Sequence, residues 1–412
     1  MKRHSDQGVM SAPYEANVAR LFVFRFVWEF MLFLPIWVLY LQEVRGYSLT
    51  QVALLDLVFW LTVAVGEMPT GMIADTWGRK YSLLVGTVLS AAAISLFALA
   101  PTYPLLVLAN TLWALAFTCD SGAAQALFYD SLQQAGRQAE YTRLRSRLAI
   151  VEHAAIAISS ACGGLLGALD LRVPFLAYAV ILLASLGLVV RLVEPPREAD
   201  PMTGTPLSYS QTLHLTVQIV RQQANLRWAL VYSGLMPLAV AVVSVVFLQP
   251  HARSLGIPVA AMGLLVLGLR VARMLGAALS PWLVQRFGES AVLRSMPGLI
   301  VAGIIGLGLW QTIGGMALFA IAGFATSATA PVVEAMVLQH TPRRIRATVL
   351  SIDSLLFRLL FAGAELGLGV IGDRYGLPLA FLGLGLSSGT GMVAVLVLWW
   401  RAQRATLSAI SV

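Results

Sequence analysis

Five charged side chains lie near the middle of long apolar stretches of this chain. They are Glu29, Asp120, Arg270, Arg273 and Arg358. A charge at the centre of a membrane-crossing helix costs at least about 2.5–3.5 kcal/mol on insertion scales, so residues placed there commonly serve ion or substrate movement. Proton transfer and ligand binding are therefore the first chemistry to consider for these residues.

The carboxylates are the candidates for proton coupling. Asp120 has no cation on its own helix, and a carboxylate that loses its water there binds a proton more readily. Glu29 is a second candidate, but Arg25 lies one helical turn before it, so a self-satisfied intrahelical ion pair is equally open. Glu67 lies nearer the cytoplasmic end of its stretch and suits gating better than substrate contact. The structural alternative for Asp120 is pairing with an arginine from another helix.

The arginines are the candidates for binding an anion. Arg270 and Arg273 are three residues apart and share a helix face, and guanidinium groups bind carboxylate or phosphate through planar forks. Alternatively, acidic side chains neutralise them; the acids considered are Asp120, Glu29 and Glu334. Our substrate-cavity candidates are Arg25, Arg270, Arg273, Arg358 and Glu334. Lower-ranked candidates are Glu152, His153, Asp353 and Glu365.

The composition indicates what kind of protein holds these charges. Of 412 residues, 58% are hydrophobic and 12% charged, with a mean hydropathy of +0.79, whereas soluble domains are about 45–50% apolar and about 25% charged. This composition is typical of a polytopic membrane protein. The apolar stretch 21–41 carries Arg25 and Glu29 and lacks a small-residue cleavage site, so we interpret it as a retained span and not a signal peptide.

The distribution of positive charge predicts the topology. We predict twelve spans, at 21–41, 48–70, 81–100, 105–131, 148–169, 173–190, 228–249, 259–284, 291–310, 315–339, 347–371 and 378–400. With both termini cytoplasmic, 20 of the 28 Lys and Arg residues fall in cytoplasmic segments, 4 in external loops and 4 within spans. The positive-inside rule therefore explains the net charge of +8. No nucleic-acid partner is needed, and we expect a multi-pass protein of the plasma (inner) membrane.

The longest polar interval divides the chain into two halves. It predicts an N-terminal bundle of six helices at 1–193, a cytoplasmic linker at 194–227 and a C-terminal bundle of six helices at 228–412. Residues 75–79 align with residues 285–289 at an offset of 210, which indicates an internal repeat. A weaker second anchor pairs the Gly164–Gly167 and Gly369–Gly372 spacings. Parallel repeats of this kind occur in transporters with two six-helix halves.

One short hairpin carries a family resemblance. Residues 71–80 have the pattern G-x-x-x-D-x-x-G-R-K between two apolar stretches, and this pattern resembles the signature loop between the second and third helices of the major facilitator superfamily. The preceding Glu67-Met68-Pro69-Thr70 is similar to the run found there in bacterial exporters. The resemblance implies an all-α integral membrane protein with twelve transmembrane helices in two six-helix bundles.

The resemblance also implies a cytoplasmic gate. Glycines there let helices approach closely, and Arg79 can bind a carboxylate such as Asp130. The residues assigned to the gate are Gly71, Asp75, Gly78, Arg79, Asp130, Arg143 and Arg147. Thr76 departs from the family pattern, which usually has a basic residue there. Alternatively, the loop merely obeys the positive-inside rule.

We therefore expect a secondary active transporter that moves a small organic solute by alternating access, as a proton-coupled exporter of a drug or metabolite. An importer or facilitator of a small organic anion is the alternative, and a transport-dead membrane sensor is a third. Residues 159–164 contain glycines but lack the proline of the Gly-Pro motif found in many exporters of the superfamily. We find no metal-ligand cluster, nucleophile elbow or phosphate loop, so we expect no enzyme activity, metal or cofactor. The expected partners are the solute, protons and the lipid bilayer, and we expect a monomer.

Overall fold

The computed structural model describes residues 2–196, 218–339, 341 and 346–410, and every regular element in these ranges is helical. The helices up to residue 190 are α1 Lys2–Glu29, α2 Trp37–Leu39 with a π-helical turn Tyr40–Val44, α3 Leu49–Trp77, α4 Arg79–Leu99, α5 Tyr103–Ser121, α6 Ala123–Gln134, α7 Tyr141–Gly167 and α8 Val173–Val190. Helices satisfy their own backbone hydrogen bonds, as a lipid environment demands.

The helices of the second half are as long as those of the first. They are α9 Ala224–Val242 with a π-helical turn Val243–Phe247, α10 Leu248–Ser254, α11 Val259–Phe287, α12 Glu289–Leu309, α13 Ile313–Gln339, α14 Arg346–Tyr375 and α15 Leu377–Ile410. Of the predicted linker, residues 197–217 lie outside the described ranges.

Eleven helical segments of the described chain are long and apolar enough to cross a membrane. The predicted first span, 21–41, is not one continuous helix. Helix α1 ends at Glu29, and residues 30–36 form a turn before α2. Pro35 lies in this segment and disfavours a continuous helix, because its ring lacks an amide hydrogen and clashes with the carbonyl one turn earlier. The predicted all-helical membrane architecture is confirmed.

The internal repeat is visible in the helix boundaries. Helices α3 and α11 each contain 29 residues and begin at Leu49 and Val259, and α4 and α12 each contain 21 residues and begin at Arg79 and Glu289. Both pairs are separated by the predicted offset of 210 residues. The sequence repeat therefore corresponds to a repeat of helices.

The chain divides into two compact units. The first contains Met1–Tyr47, Leu54–Asp200 and Ile257–Leu267, and the second contains Ser48–Ala53, Pro201–Gly256 and Gly268–Val412. The predicted bundle limits at residues 193 and 228 remain predictions. The short exchanged segments are the beginnings of α3 and α11, which are equivalent helices of the repeat.

Glycines allow close backbone packing within each unit. In the first unit, a Cβ added to Gly263 of α11 would lie 1.9 Å from the carbonyl oxygen of Ser160 in α7. A Cβ on Gly164 would lie 2.9 Å from the oxygen of Ala260. In the second unit, a Cβ added to Gly369 would lie 3.1 Å from the carbonyl oxygen of Leu49. Because each atom pair would be closer than normal van der Waals contact, a methyl group would push the helices apart.

Candidate functional site

Arg25 is the centre of an ion-pair network inside the first unit. Its Nη1 lies 2.5 Å from Asp120 Oδ2, its Nη2 lies 2.6 Å from Glu29 Oε1, and its Nε lies 2.8 Å from Glu152 Oε1. One guanidinium thus donates to three carboxylates, each through a different nitrogen. The Arg25 side chain is 15% exposed and that of Asp120 only 5%, so most of this network is shielded from water.

The end of α1 positions Arg25 and Glu29. The two residues are one turn apart on the same helix face, and Glu29 is the last residue of α1. The carbonyl groups of a helix end lack intrahelical partners. Here the Tyr178 hydroxyl of α8 donates a hydrogen bond to the carbonyl oxygen of Trp28 at 2.6 Å. This bond anchors the end of α1 and, with it, the two charged side chains.

Asp120 enters the network from the end of α5. It is 3% exposed, and its second oxygen, Oδ1, has no hydrogen-bond partner among the described residues. The helix is interrupted directly afterwards at Gly122, and α6 begins at the next residue, Ala123. Of the two alternatives given for Asp120, pairing with an arginine from another helix is present, and that arginine is Arg25. Glu29 pairs with the same arginine, and the alternative in which acidic side chains neutralise Arg270 and Arg273 stays a prediction.

Helix α7 adds Glu152 and Arg145. Arg145 Nη1 lies 3.2 Å from Glu152 Oε2, so Glu152 bridges two arginines. The sequence analysis ranked Glu152 low and counted Arg145 only as a cytoplasmic charge. The usable signal was their spacing, because residues seven apart lie two turns apart on one helix face.

The network lines a cavity of about 220 Å³. All five charged side chains of the network contribute to its wall, together with the aromatic rings of Trp28, Phe117 and Phe128. Three carboxylates face two guanidinium groups, so the ionised wall carries one negative charge in excess. Such a wall can hold a proton or a cationic ligand. Of the described residues, no group of three or more His, Cys, Asp or Glu side chains could hold a metal ion.

The predicted gate hairpin lies at the start of α4. Gly78 has a φ of +117°, which glycine adopts without strain. The Arg79 guanidinium pairs with Asp130 and donates to the carbonyl oxygen of Ala126 at 3.0 Å. The backbone amides of Arg79 and Lys80 both donate to the Glu194 carboxylate at 2.8 Å. Glu194 thus caps the N-terminus of α4, a contact that the sequence analysis missed because Glu194 had been assigned to the linker.

The other predicted gate residues are less engaged. The side chain of Asp75 lies outside the described part of the structure, and Arg143 and Arg147 are exposed on α7. No described atom lies within 4 Å of a Cβ built on Gly71, so the close approach predicted there is absent from the described contacts. Glu67, predicted as a coupling candidate, is exposed on α3.

The remaining candidates lie in the second unit. Arg270 and Arg273 are half-buried on α11, and Arg358 is half-buried on α14. Asp353 of α14 accepts a hydrogen bond from the Ser233 hydroxyl at 2.8 Å. Together with Glu334 these two residues line a second cavity of about 270 Å³. Asp353 had been a lower-ranked candidate, and its partner Ser233 was not predicted.

Comparisons with known proteins agree on the type of protein. The model of the Major Facilitator Superfamily matches residues 21–248, more than half of the chain. The uncharacterized MFS-type transporter YxaM of Bacillus subtilis (strain 168) is 24% identical over 195 residues, which are 47% of this chain and 46% of that protein. The match therefore spans just under half the length of this curated relative.

Solved structures of similar fold extend over almost the whole chain. The nucleoside transporter NupG is 13% identical, with a TM-score of 0.76, covering 93% of this chain and 99% of that one. A bacterial homolog of the human lysosomal transporter Spinster, inward-facing and unoccupied, is 16% identical with a TM-score of 0.71, covering 96% and 98%. The D-xylose-proton symporter is 16% identical with a TM-score of 0.65, covering 95% and 97%. At these identities the likeness concerns the fold alone.

Proposed function

The chain belongs to the major facilitator superfamily, and from this premise we propose that it is a proton-coupled secondary transporter that exports a small organic solute by alternating access. Membership makes it a multi-pass membrane transporter. The direction of transport, the proton coupling, the plasma-membrane location and the cytoplasmic termini belong to the proposal.

The observation that carries proton coupling is the excess of carboxylate around Arg25. Asp120 has one oxygen paired with Arg25 and one oxygen without a described partner. A proton bound to Asp120 would leave two carboxylates and two guanidinium groups charged, so the cavity wall would have zero net charge. Loss of that proton would restore a negative charge in a shielded site, where unbalanced charge is costly. The site therefore favours exchange of a proton for another positive charge.

The gate in this proposal is the Arg79–Asp130 ion pair. It joins the beginning of α4 to α6, and Glu194 fixes the first turn of α4 from the other side. Charge-assisted hydrogen bonds of this kind are directional and form only at short range. We propose that they stabilise one conformation of the cytoplasmic hairpin during the cycle.

Export is supported by the run Glu67-Met68-Pro69-Thr70-Gly71, which is similar to that of bacterial exporters. The test uses inverted membrane vesicles, whose interior corresponds to the cell exterior. The vesicle interior is acidified, and panels of organic cations, neutral solutes and organic acids are added outside. A transported solute should enter while protons leave. If no solute in any panel responds to the pH gradient, the proposal is wrong.

Variants identify the coupling group in the same vesicles. Asp120→Asn should abolish gradient-driven uptake while counterflow exchange of labelled for unlabelled solute persists, because an amide binds no proton but still fills the same space. Asp56→Asn is the matched control, since Asp56 is a half-buried carboxylate of α3 that accepts a hydrogen bond from Trp60 and does not line the cavity. Gradient-driven uptake by Asp120→Asn at the wild-type level would exclude Asp120 as the proton carrier.

The second candidate function is import or facilitated movement of a small organic anion. It is favoured by Arg273, which makes no ion pair with any described carboxylate. A guanidinium without an acidic partner is suited to bind the carboxylate of a solute. Under this alternative, Arg273→Gln should weaken binding of organic acids, and right-side-out vesicles should accumulate them.

A further inference from the structure

We propose that the second unit contains a preformed groove that binds one phospholipid with an anionic headgroup. The groove lies where the beginning of α12, the end of α13 and residues 393–400 of α15 meet, and we call it the α12–α15 groove. Its supports are an apolar recess, one cation in its wall and two tryptophans at headgroup depth. The inference does not depend on the solute, the direction of transport or proton coupling.

The α12–α15 groove is larger than the two polar cavities. Its volume is about 490 Å³, compared with about 220 Å³ for the cavity around Arg25 and about 270 Å³ for the cavity beside Asp353. Of these three, only the groove falls within the range of about 300–1,000 Å³ that is usual for small-molecule sites. All of its described lining residues belong to the second unit.

The wall of the groove is mostly apolar and opens outward. Its aliphatic and thioether side chains are Leu293, Met336, Val393, Leu396 and Val397. Val393 is 61% exposed and Val397 is 42% exposed, so the recess is not closed within the bundle. Lipid tails are as apolar as these side chains. Because α12 and α15 pack against each other, the recess between them can contact one acyl chain on several sides, which adds dispersion contacts.

Hydrogen bonds from α9 hold the wall in place. The Tyr232 hydroxyl donates to the carbonyl oxygen of Leu293 at 2.7 Å, and Trp399 Nε1 donates to Asn225 Oδ1 at 3.3 Å. The rings of Tyr232 and Trp399 lie with their centroids 6.1 Å apart. Leu293 and Trp399 both line the groove, so its two sides are fixed before a ligand arrives. A preorganised site loses less conformational freedom on binding.

Arg294 selects the charge of the headgroup. Of the described residues that line the groove, it is the only charged one, and it forms no ion pair with a described carboxylate. Glu289 begins α12 but does not line the groove, and Arg401 is exposed directly after the lining residue Trp400. A guanidinium binds phosphate oxygens through parallel hydrogen bonds. The groove therefore favours a phosphate that no ammonium group of the same lipid offsets.

The depth of these side chains matches the boundary between headgroups and acyl chains. Trp399 and Trp400 follow the beginning of α15 at Leu377 by 22 and 23 residues, or about 33–35 Å along the helix, close to the hydrocarbon thickness of about 30 Å. Arg294 lies about 7–8 Å from the beginning of α12. Tryptophans are enriched at headgroup level, and an arginine near a helix end extends its charge toward water. The phosphate and the acyl chain thus each meet matching side chains.

The first experiment measures headgroup preference in the purified full-length protein after copurified lipid has been washed away with detergent. Native mass spectrometry counts bound dioleoylphosphatidylglycerol or dioleoylphosphatidylcholine, which have the same acyl chains. One molecule of phosphatidylglycerol should bind about fivefold more tightly, the equivalent of about 1 kcal/mol for one basic side chain near an anionic headgroup. Equal affinities would overturn the inference. Displacement of the lipid by glycerol 3-phosphate would identify a site for soluble phosphates and would overturn it too.

Variants of Arg294 locate the headgroup contact. Arg294→Gln should bind both lipids with the affinity of the wild type for phosphatidylcholine, whereas Arg294→Lys keeps the charge and should retain a preference for phosphatidylglycerol. Arg374→Gln is the matched control, because Arg374 is an exposed arginine of the second unit in the last turn of α14 and does not line the groove. A full preference in Arg294→Gln would contradict the assigned contact.

Variants that fill the recess locate the acyl chain. Val393→Trp and Val397→Trp each place a large side chain in the groove and should weaken binding of both lipids to a similar extent. Leu386→Trp is the control, because Leu386 is 60% exposed on the same helix and does not line the groove. Thermal unfolding of each variant without lipid shows whether it is folded. Wild-type binding of phosphatidylglycerol by both filled variants would overturn the inference.

Discussion

Arg25→Met is the most informative perturbation of the network. Arg25 is the partner of three carboxylates at 2.5–2.8 Å, and the side chains involved are between 5% and 19% exposed. Removing one partner of a buried ion pair costs about 3–5 kcal/mol, because the remaining charge is left uncompensated. Arg145 still compensates Glu152, so we expect a loss near that range and not three times as large. The free energy of unfolding should fall by about 3–5 kcal/mol.

A double-mutant cycle with Asp120→Asn tests whether the loss comes from stranded charge. In the wild-type background, Asp120→Asn removes a charge-assisted hydrogen bond and should cost about 1.5–3 kcal/mol. In the Arg25→Met background the same change removes a stranded carboxylate and should stabilise the protein. Directly coupled residues commonly show interaction energies of about 0.5–3 kcal/mol. The sign of the Asp120→Asn effect should therefore reverse between the two backgrounds.

The assay is unfolding of the purified protein in mixed micelles by titration with SDS, followed by tryptophan fluorescence at constant pH. Arg137→Gln is the matched control, because Arg137 forms a surface pair with Glu140 three residues later, and both side chains are more than a third exposed. Surface pairs contribute little, so this variant should unfold as the wild type does. If Asp120→Asn destabilises both backgrounds equally, the two side chains are not energetically coupled, and the network does not explain the burial of these charges.

Two further predictions use the same assay. Gly263→Ala should lower the free energy of unfolding by about 1–3 kcal/mol, since its Cβ would meet the Ser160 carbonyl oxygen. On the same helix, no described atom of a neighbouring element lies within 4 Å of a Cβ built on Gly268, so Gly268→Ala should be neutral or stabilising by up to about 1 kcal/mol. Equal effects of both changes would contradict the packing argument. Glu194→Ala should cost about 0.5–2 kcal/mol through loss of the cap on α4, and an unchanged unfolding midpoint would show that the cap does not contribute.

The helices were predictable because lipid imposes one strong local rule. A spanning segment must be apolar and helical over about 20 residues, and the positions of such segments can be counted along the chain. The offset of 210 residues was found in the hairpin at Asp75–Arg79 and its copy, and it recurs in the starts of α3 and α11. The break in the first span was missed, although Pro35 was a usable signal, because hydropathy does not change where a helix is interrupted.

The contacts of the candidate site were only partly predictable. Arg25 and Glu29 are one turn apart, so their pairing follows from helix periodicity. Asp120 and Glu152 are 95 and 127 residues away from Arg25, and no local pattern links them. Asp120 was singled out because charge in an apolar span is costly. Its partner was left open as an arginine from another helix, because no sequence pattern singles out Arg25 among the arginines within spans.

The sequence by itself determined that this chain is an all-helical membrane protein, because hydropathy, charge bias and the repeat act along the chain and need no knowledge of contacts. Its role as a transporter was implied by the resemblance of the hairpin 71–80 to the major facilitator superfamily. Only the tertiary structure decided which charges meet. It brought the end of α1, the end of α5 and the middle of α7 together around one guanidinium, leaving one carboxylate in excess. Ion pairs depend on distances of a few ångströms between helices, and those distances are set by the packing of the whole unit.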